Sequence, residues 1–341
     1  MFKELTALPT EQEIKSFWKH VDKTFISIIC TCFNQQDYIA DAINSFLAQK
    51  TEYAFEVIIH DDASTDKTCD ILKAYEQSYP SIVKVIYQTE NQYSKGNVKV
   101  ENIALRKSRG EFIALCEGDD FWVDELKLQK QLEGLLACPD LKLCFTSAYT
   151  LAPNGQVNKT ANYNEKVKVF PFSDIIKGGG ALIPTASIFM RRSVMESLPS
   201  WFENAPVGDI FIQINGSKPQ GALYLPDVTV VYRVDAVGSW SVSQKYVPEE
   251  KVKSQVAKLA SCYNLLAEDN DNYDDYQIAK LNLYIASALK AISQQRYGLA
   301  KYFINKSKEI PHSSKRKQVL IAFQHCLPFF RLLHNAVKSF R

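Results

Sequence analysis

A chain of 341 residues is long enough to bury a sizeable core and, at roughly 100–200 residues per domain, to hold about two folded units. Its 46% hydrophobic and 12% aromatic content excludes long disorder, and a net charge of +2 gives no ground for expecting a nucleic-acid partner. The eight cysteines (30, 32, 69, 116, 138, 144, 262 and 326) show neither CxxC nor Cys/His zinc spacing and read as reduced thiols. The N-terminal twenty residues have no apolar stretch of signal-peptide length, and no run approaches the roughly eighteen apolar residues of a membrane span. A cytoplasmic location is expected.

In chain order, residues 1–24 read as a helical extension. FISIICTC (25–32) is an apolar, β-branched run that reads as a strand, and DYIADAINSFLAQ (37–49) sets Ile39, Ile43, Phe46 and Leu47 on one helical face. FEVIIH (55–60) is the second strand; Ser64, Thr65 or Asp66 can cap the helix through Ile71, Leu72 and Tyr75. IVKVIYQ (82–88) is a third strand, 97–108 a helix, EFIALCE (111–117) a fourth strand, 123–137 a helix, and KLCFTSAYTL (142–151) a strand turning at Asn154-Gly155. This alternation predicts a doubly wound, mostly parallel α/β sheet with helices on both faces.

From 156 to 240 the pattern is mixed: FSDIIKGGG reads as a short helix, TASIFMRRSV as a strand, GDIFIQING as a helix, and ALYLPDVTVVYRV as strand material interrupted at Pro226. After Glu249 it is helical, with a hairpin over 274–310 that Pro311 stops. One such pair is not a repeat array. These shifts divide the chain into 25–245, with halves 25–150 and 151–245, and a helical region 246–341. The segment 313–341 carries six Lys/Arg and no acid among apolar residues. It suits either an anionic membrane interface, which would make the protein peripheral on the inner face of the membrane, or a docking helix broken at Pro328.

Ligands of a doubly wound sheet bind beyond the carboxyl ends of its strands. The predicted strands put Thr31, Asp61, Asp62, Glu117, Asp119 and Asp120 on that edge. So many carboxylates repel one another unless a cation compensates, and a hard ion such as Mn2+ or Mg2+, shared with phosphate oxygens, suits them. Either acidic pair alone could do no more than cap a helix; two pairs at two strand ends are harder to ascribe to capping. The Rossmann glycine fingerprint and the P-loop are absent, and the five histidines (20, 60, 312, 325 and 334) form no ligand cluster.

The stretches SIICTCFNQQDYIADAINSFLAQ, EVIIHDDASTDKT and GEFIALCEGDDFW together resemble the N-terminal half of family 2 glycosyltransferases, inverting enzymes of the GT-A fold. The likeness covers 25 to about 150 and continues more weakly to about 240. It implies that Thr31 and Asp62 contact the nucleotide of a nucleotide-sugar donor, that Asp119 touches ribose or sugar, and that Asp120 binds the metal. Lys95, in the loop 91–97, would reach the phosphates or base. Asp209, in PVGDIFI, stands where the family places the general base. In VVYRVDAVGSWS the family's metal-site histidine is replaced by Asp235, an alternative hard ligand, and Trp240 could stack on a sugar; Thr185 and Ser187 would face the acceptor. The activity implied is sugar transfer from a UDP-sugar to a glycan or lipid-linked acceptor in surface polysaccharide assembly. A sugar-phosphate nucleotidyltransferase would need a Gly/Arg-rich phosphate loop where TCFNQQDY stands, and a non-catalytic nucleotide-binding scaffold would not need Asp62, Asp120 and Asp209 intact.

Overall fold

Strands form where the β-branched runs are densest, and the first four lie parallel: β1 (Ile26–Cys32), β2 (Phe55–Asp61), β3 (Val83–Tyr87) and β4 (Phe112–Leu115). In chain order β5 (Phe121–Trp122), β6 (Leu143–Leu151), β7 (Val157–Thr160), β8 (Lys168–Phe170), β9 (Phe189–Arg191) and β10 (Ala222–Arg233) follow. The computed structural model describes residues 2–332 other than Ala7, Asn97, Lys245, Asp269 and Asn270; the Trp240 side chain and the tail residues 333–341 lie outside the described set. Within it the sheet order is β3-β2-β1-β4-β9-β6-β10-β5, with β7 on β6 and β8 on β10. Strands β9, β5, β7 and β8 pair antiparallel with their neighbours, so the fold is a mixed α/β sheet around a parallel half.

Residue alternation sends β1 and β2 side chains to opposite faces. Ile28, Cys30, Val57 and Ile59 join the core with Ile39, Ile43, Phe46 and Leu47 of the helix Ile39–Leu47 and Leu72 of the helix Thr68–Ser78. The alternate positions Ser27, Ile29, Thr31, Glu56, Ile58 and His60 belong to the other face, over which the helix Val100–Lys107 packs. Covering both faces is what the continuous apolar runs require.

Three local expectations change. TASIFMRRSV is not one strand: the Ser187 hydroxyl donates to the Pro184 carbonyl at 2.7 Å and closes a 3-10 turn, Thr185–Ser187, before the three-residue β9. The loop 91–97 contains a helical turn, Gln92–Lys95, capped by the Asn91 side chain and ended by Gly96 in left-handed backbone (φ 69°). Pro226 does not interrupt β10; the strand passes it with a register shift between Leu225 and Val228, so the missing N–H falls at an irregularity in the ladder.

The chain divides into two compact units, the first built on the sheet and the second mainly on 243–341. The second is a helical body of Glu249–Ala267, Tyr273–Ser293, Tyr297–Lys308 and Lys315–Ala322, with Ile285, Ala288, Leu299, Phe303 and Ile304 at its centre. Leu320 and Leu327 are buried in that same core, and the Lys317 ammonium donates to the Ile310 and His312 carbonyls at 2.7 and 2.9 Å. The first part of the basic segment therefore docks on its own helical body. Among the described residues no helix is long and apolar enough to cross a membrane.

Candidate active site

The parallel ladder carries β1, β2 and β4 out at one edge. Cys32 stands beside Asp61, the Asp62 amide donates to the Cys32 carbonyl at 3.0 Å, and the Gly118 amide donates to the Thr31 carbonyl at 3.0 Å. Thr31, the Asp61-Asp62 pair and the Glu117–Asp120 loop are thus adjacent, as expected. Beside them His60 is fully buried with both ring nitrogens unpartnered, and burial lowers its pKa, which keeps the ring neutral near pH 7.

The two acids of the first pair do different things. Asp61 Oδ2 accepts from the Ser64 amide at 3.2 Å and the Cys69 thiol at 3.1 Å, so it shapes the turn. Asp62, 4% exposed, turns both oxygens to the turn Gln92–Lys95: Oδ1 accepts from the Gln92 amide at 2.7 Å and Oδ2 from the Tyr93 amide at 3.0 Å. Ala63 between them and the turn sits at φ 65°, backbone that a non-glycine residue rarely adopts. The carboxylate expected at the nucleotide therefore orders a loop. Lys95, at the end of that turn, is exposed and paired with Glu90.

The second pair sits in a loop whose backbone is tightly enclosed. A methyl at Gly118 would come 2.4 Å from Gln35 Oε1 and 2.8 Å from Ile39 Cδ1, so a larger residue would have to displace those side chains. Burial, then repulsion by Asp119 and Glu117, raises the Asp120 pKa well above the ordinary carboxylate value. Burial raises Asp119 too, opposed by the Arg233 charge and Gln35, and burial with the Asp119 charge pushes Glu117 up to about 8. Glu117 Oε2 is buried and unpartnered.

Arg233, which the sequence reading passed over, organises this loop from β10. Its amide donates to Asp120 Oδ1 at 2.9 Å and its guanidinium donates to the Asp119 carbonyl at 2.9 Å, pairs with Asp41, and lies over the Phe121 ring at 4.4 Å. A strand arginine beside an acidic loop more than a hundred residues earlier offers no local signal of that contact.

Asp209 begins the helix Asp209–Gly216. Burial raises its pKa, opposed by the Ile210 amide and the Lys99 charge, and its own charge reaches Glu117. The remaining expected positions are more varied. Thr185 is half-buried; Ser187 is fully buried with its hydroxyl spent on Pro184, so it does not face an acceptor. Asp235 is exposed in left-handed backbone (φ 57°) and Trp240 opens the short helix Trp240–Ser243.

No three His, Cys, Asp or Glu side chains among the described residues form a ready metal cage, and the structure does not bring Asp235 into one with Asp120. The donor set of the loop nevertheless fits a hard divalent cation that completes its shell with phosphate oxygens and water. It offers crowded carboxylates, an orphaned Glu117 oxygen, and an Asp120 whose bond to Arg233 uses only Oδ1.

With this geometry in place the likenesses to known proteins become readable. The sequence model of glycosyl transferase family 2 matches residues 27–198, which spans β1 through β9 and both acidic pairs. The chain belongs to glycosyl transferase family 2. Among relatives of this family 2 chain, an uncharacterized protein of Mycobacterium tuberculosis is 31% identical over 218 residues, 63% of this chain and 60% of the relative. The match thus spans about three-fifths of that relative's length. A putative teichuronic acid biosynthesis glycosyltransferase of Bacillus subtilis, TuaG, is 39% identical over 114 residues, 33% of this chain and 43% of TuaG. The crystal structure of TarS residues 1–349 of S. aureus with UDP-GlcNAc superposes with a TM-score of 0.62 at 18% identity, covering 93% of this chain and 92% of that one. That likeness establishes the GT-A fold.

Proposed function

We propose that this family 2 chain is an inverting glycosyltransferase that moves a sugar from a nucleotide donor, UDP-sugar first among candidates, to a glycan or lipid-linked acceptor in polysaccharide assembly. The observation that carries the reading is the Asp209 carboxylate at a helix start, its pKa raised by burial, within electrostatic reach of the acidic loop at the strand ends. A carboxylate whose pKa is raised takes a proton more readily than an ordinary one, which suits a general base. The TarS complex with UDP-GlcNAc and the name of TuaG support the donor class and the polymer setting.

In the proposed step the acceptor oxygen attacks the anomeric carbon, the bond from that carbon to the diphosphate oxygen breaks, and the acceptor proton passes to Asp209. A divalent ion, Mn2+ or Mg2+, held by Asp120, would neutralise charge on the leaving diphosphate, with Asp119 at the ribose or sugar. Arg233 fixes the loop that holds it. Thr31 lies beside the nucleotide, and Asp62 contributes by ordering the turn Gln92–Lys95 over it, with Lys95 at the end of that turn. Asp209→Asn is expected to lower turnover by about a thousandfold or more while donor affinity in a titration changes less than about twofold. Unchanged turnover, or lost donor binding, rejects the assignment.

A membrane-borne acceptor is supported by the exposed Val319, Phe329 and Leu332 together with exposed Lys315 and Arg316 in the basic segment. Because Leu320 and Leu327 are core residues, the test is the double variant Phe329→Ser, Leu332→Ser rather than a deletion. It should release the protein from anionic vesicles at low salt, and continued cosedimentation would remove this role.

A further inference from the structure

The helix Val100–Lys107 brings toward Asp209 a carboxylate that the proposed transfer does not use. Its start is pinned by Glu203, whose oxygens accept from the Lys99 amide at 2.6 Å and the Asn102 side-chain amide at 2.9 Å. Glu101, between those two residues, has its Oε1 3.9 Å from where a methyl on Gly208 would stand, and Gly208 directly precedes Asp209. Glu101 Oε2 is buried with no hydrogen-bond partner, and so are Asn102 Oδ1 and Glu117 Oε2. Burial raises the Glu101 pKa, eased by Lys99 and increased by the charges of Asp209 and Glu203; Glu117 feels Glu101 and Asp209 in turn.

Glu101 Oε2 and Glu117 Oε2, from two elements that the Asp209 charge reaches, therefore lack donors, as does Asn102 Oδ1 of the residue next to Glu101. Buried polar groups in folded proteins are seldom left so, and a bound molecule that brings donors is one remedy. A cation at the Glu117–Asp120 loop would account for Glu117 but not for Glu101 and Asn102 on the helix Val100–Lys107. The molecule that lies between leaving diphosphate and base is the donor sugar, which brings hydroxyl groups. A further carboxylate there would join Glu101, Glu117, Asp119 and Asp209, acids whose pKa values burial already raises because negative charge is disfavoured among them, with the Lys99 charge as a partial offset.

We propose that Glu101 is a specificity-determining residue of the donor-sugar pocket: it accepts a hydrogen bond from a sugar hydroxyl and turns away sugars that carry a carboxylate. This rests on the carboxyl edge of β1, β2 and β4 being a nucleotide-sugar site.

The test is calorimetric titration of the full chain with Mn2+ present, using UDP alone and the matched pairs UDP-glucose with UDP-glucuronate and UDP-galactose with UDP-galacturonate. In at least one pair the uncharged sugar should bind about tenfold tighter or more than its uronate. Glu101→Gln should cut that preference to about threefold or less and leave UDP affinity unchanged. If UDP binds but both uronates bind as well as their uncharged partners, the inference falls and the nucleotide-sugar reading survives. Persistence of the full preference in Glu101→Gln, or a parallel loss of UDP binding, also overturns it. Failure of UDP, GDP and dTDP alike to bind removes the reading and the inference together.

Discussion

The two ends of β1, β2 and β4 treat buried acids in opposite ways. Where the strands enter, Glu56 is 1% exposed and fully engaged: it accepts from the Ser27 hydroxyl at 2.8 Å, the Arg109 amide at 2.6 Å and the Arg109 guanidinium at 3.0 and 3.2 Å. Gly110 completes the cluster, since a methyl there would lie 2.4 Å from the Ser27 amide nitrogen. Where the strands leave, Glu117, Asp119 and Asp120 crowd one another, with Arg233 as the cation held against them and a Glu117 oxygen unpartnered. One end is satisfied by the protein itself. The other carries crowded acids and unmet hydrogen bonds, which a molecule from outside can relieve.

The largest effect should come from breaking the satisfied end. Glu56→Ala leaves the Arg109 amide and Ser27 hydroxyl without their acceptor, and urea titration should show a loss of about 3 kcal/mol with little change in donor affinity. At the other end, Arg233→Ala removes the bond to the Asp119 carbonyl, the pair with Asp41 and the packing on Phe121. A loss of about 2 kcal/mol is expected, together with a weaker Mn2+-induced rise in melting temperature.

The smallest effect has the opposite sign. The Glu117 pKa is raised in the fold to about 8, first by burial and then by Asp119, from an ordinary value of 4.5. A carboxyl raised in this way favours the fold below its ordinary value, and that contribution is lost as the pH climbs to about 8. Metal-free protein should therefore weaken between about pH 5 and pH 8. Glu117→Gln should flatten the decline and be more stable by about 1 kcal/mol at pH 8, while gaining less from Mn2+. A steeper decline in the variant, read by thermal melts with a chelator, would remove the contrast between the two ends.

Much of the parallel half was legible because its signals are local. The β-branched runs ending in Thr31, Asp61 and Glu117 declare both strand and exit edge, so the acids could be placed on one rim without coordinates. Asp209 was visible as an acid opening an apolar helix. Ser187 misled for an equally local reason: inside the run TASIFMRRSV its hydroxyl reads as free to meet an acceptor, yet it folds back on Pro184 and is buried.

By itself, then, the sequence determined which elements form, their order, and the edge at which the carboxylates emerge, because alternation, capping and strand length depend on neighbours within a few residues. Only the tertiary structure decided where those carboxylates point. Asp62 turns to a helical turn thirty residues on, Asp120 meets an amide 113 residues on, and Glu101 arrives beside Asp209 from another helix. Hydrogen bonds and charge repulsion at such separations depend on the packed positions of distant segments, and residue order alone carries no record of them.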